Sequence, residues 1–180
     1  MTIAQSPIED VLPLSPLQHG LLFQALYDDE GPDVYTVQLA VEMRGPLDAA
    51  RLRAAADTLL RRHPNLRVLF VHEGLEQPVQ VVRRTVESPW REVDLTGERP
   101  DAVEGAFEAL RDAERARRFV LDEDVLLRFV LVRLTRGRFR LLVTLHHILV
   151  DGWSVPVLLD DLFELYERRG DDSGMRRTTP

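Results

Sequence analysis

The chain contains no cysteine and no lysine, and it lacks any long apolar run. Without cysteine it has no disulfides, no thiolate zinc site and no cysteine nucleophile, which fits a reducing compartment. Without lysine, Schiff-base chemistry and the lysine of a phosphate-binding P-loop are excluded. No apolar stretch approaches the roughly 18 residues that span a bilayer, and residues 1–11 show no secretory-signal pattern. We therefore expect a cytoplasmic protein with no membrane segment.

Charge and composition indicate an acidic globular chain. The 30 acidic and 23 basic residues give a net charge of -7, which argues against general nucleic-acid binding because that needs a basic face. Hydrophobic residues make up 44% of the chain and charged residues 29%, a balance typical of proteins that bury a core. The length of 180 residues fits one domain or one lobe of a larger domain.

The hydrophobic pattern predicts helices and strands in a mixed order. At residues 15–18, SPLQ places serine, proline and glutamine where a capped helix begins. Helices are expected over residues 16–27, 47–62, 101–118 and 156–169. Strands are expected over residues 35–44, 66–71, 78–83, 125–134 and 139–146. Residues 84–100 are expected to be irregular, and Val157 is expected to face the core from the last helix.

The last two strands are strongly apolar and are joined by a short turn, which predicts a β-hairpin. Both of its faces are apolar, so the hairpin is expected near the centre of the sheet. The whole pattern predicts an α/β fold, a mixed β-sheet flanked by helices. Residues 1–170 carry this pattern, whereas residues 171–180 are polar and aperiodic, as expected of a linker or a disordered tail.

The segment HHILVDG at residues 146–152 carries the most chemistry. Histidine is the usual general base near neutral pH, and here two histidines end an apolar strand. Side chains alternate along a strand, so His146 and His147 are expected on opposite faces, and the pleat alone leaves open which one reaches a cavity. Two hydrogen-bonded structural histidines are the alternative. Metal binding is disfavoured because the two rings diverge and no third ligand is suitably spaced.

Three motifs together resemble those of nonribosomal peptide synthetase condensation domains. They are HHILVDG at residues 146–152, which matches HHxxxDG and continues as Trp-Ser; RHPNLRVLF at residues 62–70, which matches RHxxLRxxF; and LSPLQHGLLF at residues 14–23. A complete condensation domain is a V-shaped pair of lobes, each similar to chloramphenicol acetyltransferase, and is more than twice this long. The resemblance implies that residues 1–170 form the N-terminal lobe and that residues 171–180 begin the linker between lobes.

The resemblance also implies catalytic roles at two positions. His147 would contact the α-amino group of the acceptor as it attacks the donor thioester, either by removing a proton or by orienting the amine and stabilising charge. His146 would be structural. Gly152 would allow the backbone to pass close to the substrate, or its amide would polarise a carbonyl, with a plain turn residue as the alternative.

Structural roles are implied for the other motif residues. Asp151 would pair with an arginine that fixes the loop, Arg67 in the first place and Arg62 in the second, since an arginine fork holds a carboxylate at two points. Trp153 and Ser154 are expected to serve packing and helix capping.

The implied reaction forms a peptide bond between a donor acyl thioester and an acceptor aminoacyl thioester, each bound to a carrier protein. No cofactor or metal is expected on the domain itself, because the phosphopantetheine arms belong to the peptidyl carrier proteins. The C-terminal condensation lobe and a neighbouring adenylation domain are the other implied partners. The alternatives are a related HxxxDG acyltransferase, an epimerisation domain, and a non-catalytic docking module or inactive fragment. The lobe alone is expected to be inactive, because one wall of the channel is missing.

Overall fold

The computed structural model describes residues 6–27, 31 and 33–176. Its elements, in chain order, are β1 (Ile8–Pro13), α1 (Pro16–Tyr27), β2 (Thr36–Arg44), α2 (Ala49–Arg62), β3 (Val68–Val71), β4 (Val79–Arg83), β5 (Trp90–Asp94), α3 (Val103–Ala116), β6 (Leu127–Thr135), β7 (Arg138–His146) and α4 (Ser154–Glu167). A short 3-10 helix at Pro64–Arg67 joins α2 to β3. In this part of the chain, no helix is both long and apolar enough to cross a membrane.

The larger sheet has four strands in the order β2-β7-β6-β5. Strand β7 lies antiparallel to both β2 and β6, whereas β5 lies parallel to β6. The predicted mixed sheet with the apolar hairpin at its centre is therefore confirmed. The hairpin turns at Gly137, whose φ of 80° is a conformation that glycine adopts without a Cβ penalty. A smaller sheet has the order β1-β4-β3.

Strand β5 corrects the expectation that residues 84–100 are irregular. It pairs with β6 at the sheet edge and packs the partly buried Trp90 ring against Phe129, with 5.9 Å between ring centroids. Three of its five residues are charged, so the short segment shows no apolar run. The strand forms by pairing with β6, which is distant in sequence, so the local residue pattern does not predict it.

The two faces of β7 pack against different layers. Phe139, Leu141, Val143 and Leu145 join the main core with α2 and α4. Leu142 lies on the other face, in a smaller cluster with Phe107 of α3. The alternation predicted for this strand is therefore confirmed up to its last residue, His146.

Two helix predictions have different outcomes. At the start of α1, the Ser15 amide donates to Gln18 Oε1 at 2.9 Å and the Gln18 amide donates to Ser15 Oγ at 3.2 Å, which confirms the capping box. In α4, Leu158, Leu162 and Leu165 are buried, but the inward placement of Val157 is wrong because this side chain is 55% exposed. Consecutive helix residues are turned by about 100°, so Val157 falls beside the buried stripe.

The chain after α4 turns back onto the main core. Met175 is buried in the main core, and Gly170 has a φ of 82° where the helix ends. Residues 177–180 lie outside the described residues. The boundary after residue 170 stays a prediction.

A carboxylate links α2 to α4. Asp161 Oδ2 on α4 lies 3.2 Å from Arg62 Nε and 2.8 Å from His63 Nε2. These three side chains are mostly buried, so the contact is shielded from water. Arg62 therefore helps to hold the two helices together, and the expectation that it serves as the second partner of Asp151 is wrong.

We predict that Asp161→Ala lowers the free energy of unfolding by about 3 kcal/mol, because it leaves two largely buried cationic or polar partners unmatched. The neighbouring Asp160→Ala is the matched control, since that side chain is exposed and the change in helix propensity is the same. Urea unfolding of both variants measures the difference. Equal stability of the two variants would contradict the role of Asp161.

Candidate functional site

The site is built where β7 ends and the chain loops into α4. His146 is the last residue of β7 and is fully buried, whereas His147 is partly exposed in the following turn. The His147 amide donates to the Tyr35 carbonyl at 2.9 Å, and the Leu149 amide donates to the His146 carbonyl at 3.1 Å. These bonds carry the ladder past the strand end and close the turn.

The ring of His146 has a close neighbour at each nitrogen. Its Nδ1 accepts from the Ile148 amide at 3.1 Å, so in the neutral ring the proton sits on Nε2. Nε2 lies 3.0 Å from Asp33 Oδ2, a close contact that is bent away from ideal hydrogen-bond geometry. Burial lowers the pKa of His146, and the nearby Asp33 carboxylate only partly opposes this effect. The ring is therefore neutral near pH 7.

The ring of His147 takes the opposite tautomer. Its Nδ1 lies 2.7 Å from the Val150 carbonyl oxygen, and a carbonyl can only accept, so the proton sits on Nδ1. The neutral ring then presents its lone pair on Nε2. Backbone groups of one loop thus hold the two adjacent histidines in opposite tautomers. With its free lone pair on Nε2, His147 is able to accept a proton or to orient an amine.

Three consecutive carbonyl groups of the loop, at residues 148–150, are held by side chains from three parts of the chain. The donors are Gln18 Nε2 to Ile148 O at 3.4 Å, Asn65 Nδ2 to Leu149 O at 3.4 Å, and His147 Nδ1 to Val150 O at 2.7 Å. Each donor lies in a different one of the three sequence motifs. Sequence reasoning missed Gln18 and Asn65 as loop supports, although their positions inside the motifs were the available signal.

Asp151 caps α4, and its expected ion pair with Arg67 is wrong. Its Oδ1 accepts from the Ser154 amide at 2.9 Å and from the Ser154 hydroxyl at 2.7 Å. These hydrogen bonds lower the pKa of Asp151. The first amides of a helix lack intrahelical partners, and this exposed carboxylate satisfies one of them. Ser154 donates to the cap instead of supplying it.

Arg67 serves the smaller sheet instead of the loop. Its guanidinium is almost fully buried and lies 2.9 Å from Glu9 Oε2. It also donates to the carbonyls of Leu60 at 2.9 Å and Arg84 at 3.0 Å. Arg67 therefore ties the end of α2 to β1 and to the end of β4, and the hydrogen bond from Arg67 lowers the pKa of Glu9.

Gly152 and Trp153 project from the loop. A Cβ added to Gly152 would meet no atom within 4 Å, and its φ lies outside the left-handed region. Trp153 is 88% exposed, so its expected packing role is wrong. Together with Val157 it lines an open groove of about 640 Å³ between the loop, the 3-10 helix and β4. The packing of the described residues therefore requires neither a glycine nor a tryptophan at these two positions.

Comparison with known proteins gives one consistent result. A family model described as "Condensation domain" matches residues 8–179. A linear gramicidin synthase protein from Brevibacillus parabrevis is 42% identical over 159 residues, which cover 88% of this chain and 2% of that protein. Bacitracin synthase 3 of Bacillus licheniformis is 32% identical over 178 residues, which cover 98% of this chain and 3% of that protein.

Solved structures show the same fold. The first condensation domain of the calcium-dependent antibiotic synthetase, in complex with a substrate analogue, matches with a TM-score of 0.78 and 25% identity, over 96% of this chain and 40% of that chain. A variant of the starter condensation domain of rhizomide synthetase matches with a TM-score of 0.81 and 17% identity, over 96% of this chain and 40% of that chain. The chain thus spans less than half of each.

Burial of His146 predicts a loss of stability between neutral and mildly acidic pH. Burial lowers the pKa of the folded imidazole from the value of 6.5 that an exposed histidine has. Stability is therefore fully present above that value and declines as the pH falls below it toward the folded pKa, because only the unfolded chain readily binds the proton. Urea unfolding at about pH 7.5 and about pH 5.5 measures the difference in free energy.

The control for this measurement is His146→Gln, which cannot titrate. It should be less stable at neutral pH but should lose less on acidification. The pKa values of Glu42 and Asp151 are lowered, to about 2 for Glu42, so these carboxylates stay ionised in this window. An equal acid sensitivity of both proteins would reject the assignment to His146.

We also predict that Gly152→Ala leaves stability unchanged to within about 0.5 kcal/mol. The reason is the open space and ordinary backbone at this position. Gly137→Ala is the matched control and should lose about 1–2 kcal/mol, because alanine is strained at a positive φ. Thermal unfolding of the two variants checks this, and a large loss in Gly152→Ala would show a packing constraint at the loop.

Proposed function

The chain belongs to the condensation-domain family, and from that premise we propose that it forms the N-terminal lobe of a nonribosomal peptide synthetase condensation domain. The proposed reaction joins two substrates, each carried as a thioester. The three motifs support this reading because their side chains meet at one loop. The chain spans 2% to 3% of the two synthetases compared with it, so the activity proposed is that of the larger assembly.

The contact of 2.7 Å between His147 Nδ1 and the Val150 carbonyl is the observation that carries the proposal, because it leaves Nε2 as the acceptor of the neutral ring. The acceptor amine attacks the donor carbonyl carbon, the new C–N bond forms, and the C–S bond breaks with departure of the thiolate. The attacking nitrogen loses one proton, which the departing sulfur can finally take up. A lone pair on His147 Nε2 suits either acceptance of that proton or orientation of the amine. Alignment of two tethered substrates supplies the rest of the rate enhancement.

The partners follow from the same proposal. Donor and acceptor peptidyl carrier proteins would bring the thioesters on phosphopantetheine arms, which the lobe itself does not hold. A C-terminal condensation lobe would close the channel opposite His147, and an adenylation domain would load the acceptor carrier. Such an assembly would work in the cytoplasm, in agreement with a chain that has no cysteine.

We predict that His147→Ala in the intact two-lobed domain lowers the rate of peptide-bond formation by at least about 100-fold, because it removes the acceptor nitrogen. The assay mixes the domain with loaded donor and acceptor carriers and measures the dipeptidyl product by mass spectrometry. His19→Ala, which changes an exposed histidine on α1, is the control and should retain full activity.

A His147→Ala domain that forms dipeptide at the normal rate would refute the catalytic assignment. Transfer to free alcohols but not to carrier-bound amines would favour a related acyltransferase. The lobe alone should show no turnover, and robust turnover by it would refute the need for a second lobe.

A further inference from the structure

Asp33 is a buried carboxylate that the three motifs do not contain. It lies just before β2 and is 6% exposed. Its Oδ1 accepts from the Tyr35 amide at 2.8 Å, its main-chain carbonyl accepts from the Thr36 amide at 3.1 Å, and its Oδ2 lies 3.0 Å from His146 Nε2. A buried carboxylate is costly unless its oxygens have partners. Here Oδ1 accepts a hydrogen bond and Oδ2 lies in close contact with the His146 ring.

Asp33 reaches both histidines by different routes. Its side chain contacts the His146 ring directly. It also orders the turn at Tyr35, whose carbonyl receives the His147 amide at 2.9 Å. Asp33 therefore supports the end of β7 in two ways: directly at the His146 ring, and indirectly through the Tyr35 carbonyl that accepts from the His147 amide.

The contact with His146 selects a tautomer. An ionised carboxylate can only accept, so it favours the ring with its proton on Nε2. Only that tautomer leaves Nδ1 free to accept the Ile148 amide at 3.1 Å. The Ile148 bond begins the turn that brings the Val150 carbonyl against His147 Nδ1. Among the described residues, the charged side chains that act on the His146 ring are those of Asp33 and Arg118.

We propose that Asp33 is a positioning residue for the condensation reaction, acting through His146 and the loop to hold His147 with its lone pair on Nε2. This rests on the catalytic role proposed for His147. Asp33 touches no reacting atom. Its effect is to choose the His146 tautomer and thereby the shape of the loop, as an orienting carboxylate does for a ring that it contacts.

The test is Asp33→Asn in the intact two-lobed domain. Asparagine can still accept from the Tyr35 amide, but it can present an N–H donor to His146 Nε2, which favours a proton on Nδ1 and removes the acceptor for Ile148. We expect kcat for dipeptide formation to fall by about 10-fold to 100-fold, with KM for the loaded acceptor carrier little changed. Asp10→Asn, an exposed aspartate on β1, is the matched control and should be neutral.

A double-mutant cycle separates positioning from a simple role in folding. If Asp33 acts through His146, then Asp33→Asn should cost little further activity in a His146→Gln background, whereas independent roles would give multiplied losses. Nitrogen-15 NMR of the histidine rings gives a readout that does not depend on catalysis. It should show His146 protonated on Nε2 in the wild type and on Nδ1 in Asp33→Asn.

The outcomes distinguish this proposal from the proposed function. An unchanged kcat, an unchanged His146 tautomer in Asp33→Asn, or fully multiplied losses would overturn the role of Asp33 even if His147 proves essential. If Asp33→Asn does not fold, the wild-type spectrum still decides, since a wild-type His146 protonated on Nδ1 would overturn it. Full activity of His147→Ala would instead overturn the catalytic role of His147, and the ring spectra would still test the tautomer selection.

Discussion

The geometry of the candidate site depends on how the backbone groups of the loop between β7 and α4 find hydrogen-bond partners. A loop that leaves a central strand carries carbonyl and amide groups that the sheet no longer pairs. Here the amide of Ile148 donates to the His146 ring, and the carbonyls of residues 148–150 accept hydrogen bonds from side chains. One of the hydrogen bonds that hold the loop, from His147 Nδ1 to the Val150 carbonyl, also sets the tautomer of the neutral His147 ring. The same contact therefore stabilises the loop and determines which nitrogen of His147 can accept a proton.

Much of the fold could be predicted from the sequence because its signals are local. The capping box at Ser15, the apolar hairpin and the helix predicted over residues 101–118 each depend on residues close together in the chain, and the structure confirms them. Strand β5 was not predicted because it forms by pairing with β6, which is distant in sequence. Asp33 was not predicted for the same reason, since its contact with His146 joins residues more than a hundred positions apart.

The pairing of motif residues could not be read from charge alone. An aspartate and an arginine attract each other in any sequence, but Arg67 is buried beneath β1 and β4, where carbonyls and Glu9 surround it. Arg62 forms an ion pair with Asp161, which also contacts His63. The segment at residues 62–70 therefore has a structural role, because it joins α2 to α4 and to the smaller sheet. Within it, Asn65 donates to a carbonyl of the loop.

The capping role of Asp151 has a consequence for the electrostatics of the proposed reaction. The aligned peptide dipoles of a helix place roughly half a positive charge at its N-terminus, and many sites use such an end to bind an anion. At α4 that end is already matched by the Asp151 carboxylate, which accepts from Ser154. A tetrahedral oxyanion near His147 would meet a neutralised helix end with an added negative charge beside it. In the proposed reaction, stabilisation of that oxyanion would therefore have to come from groups other than the α4 dipole.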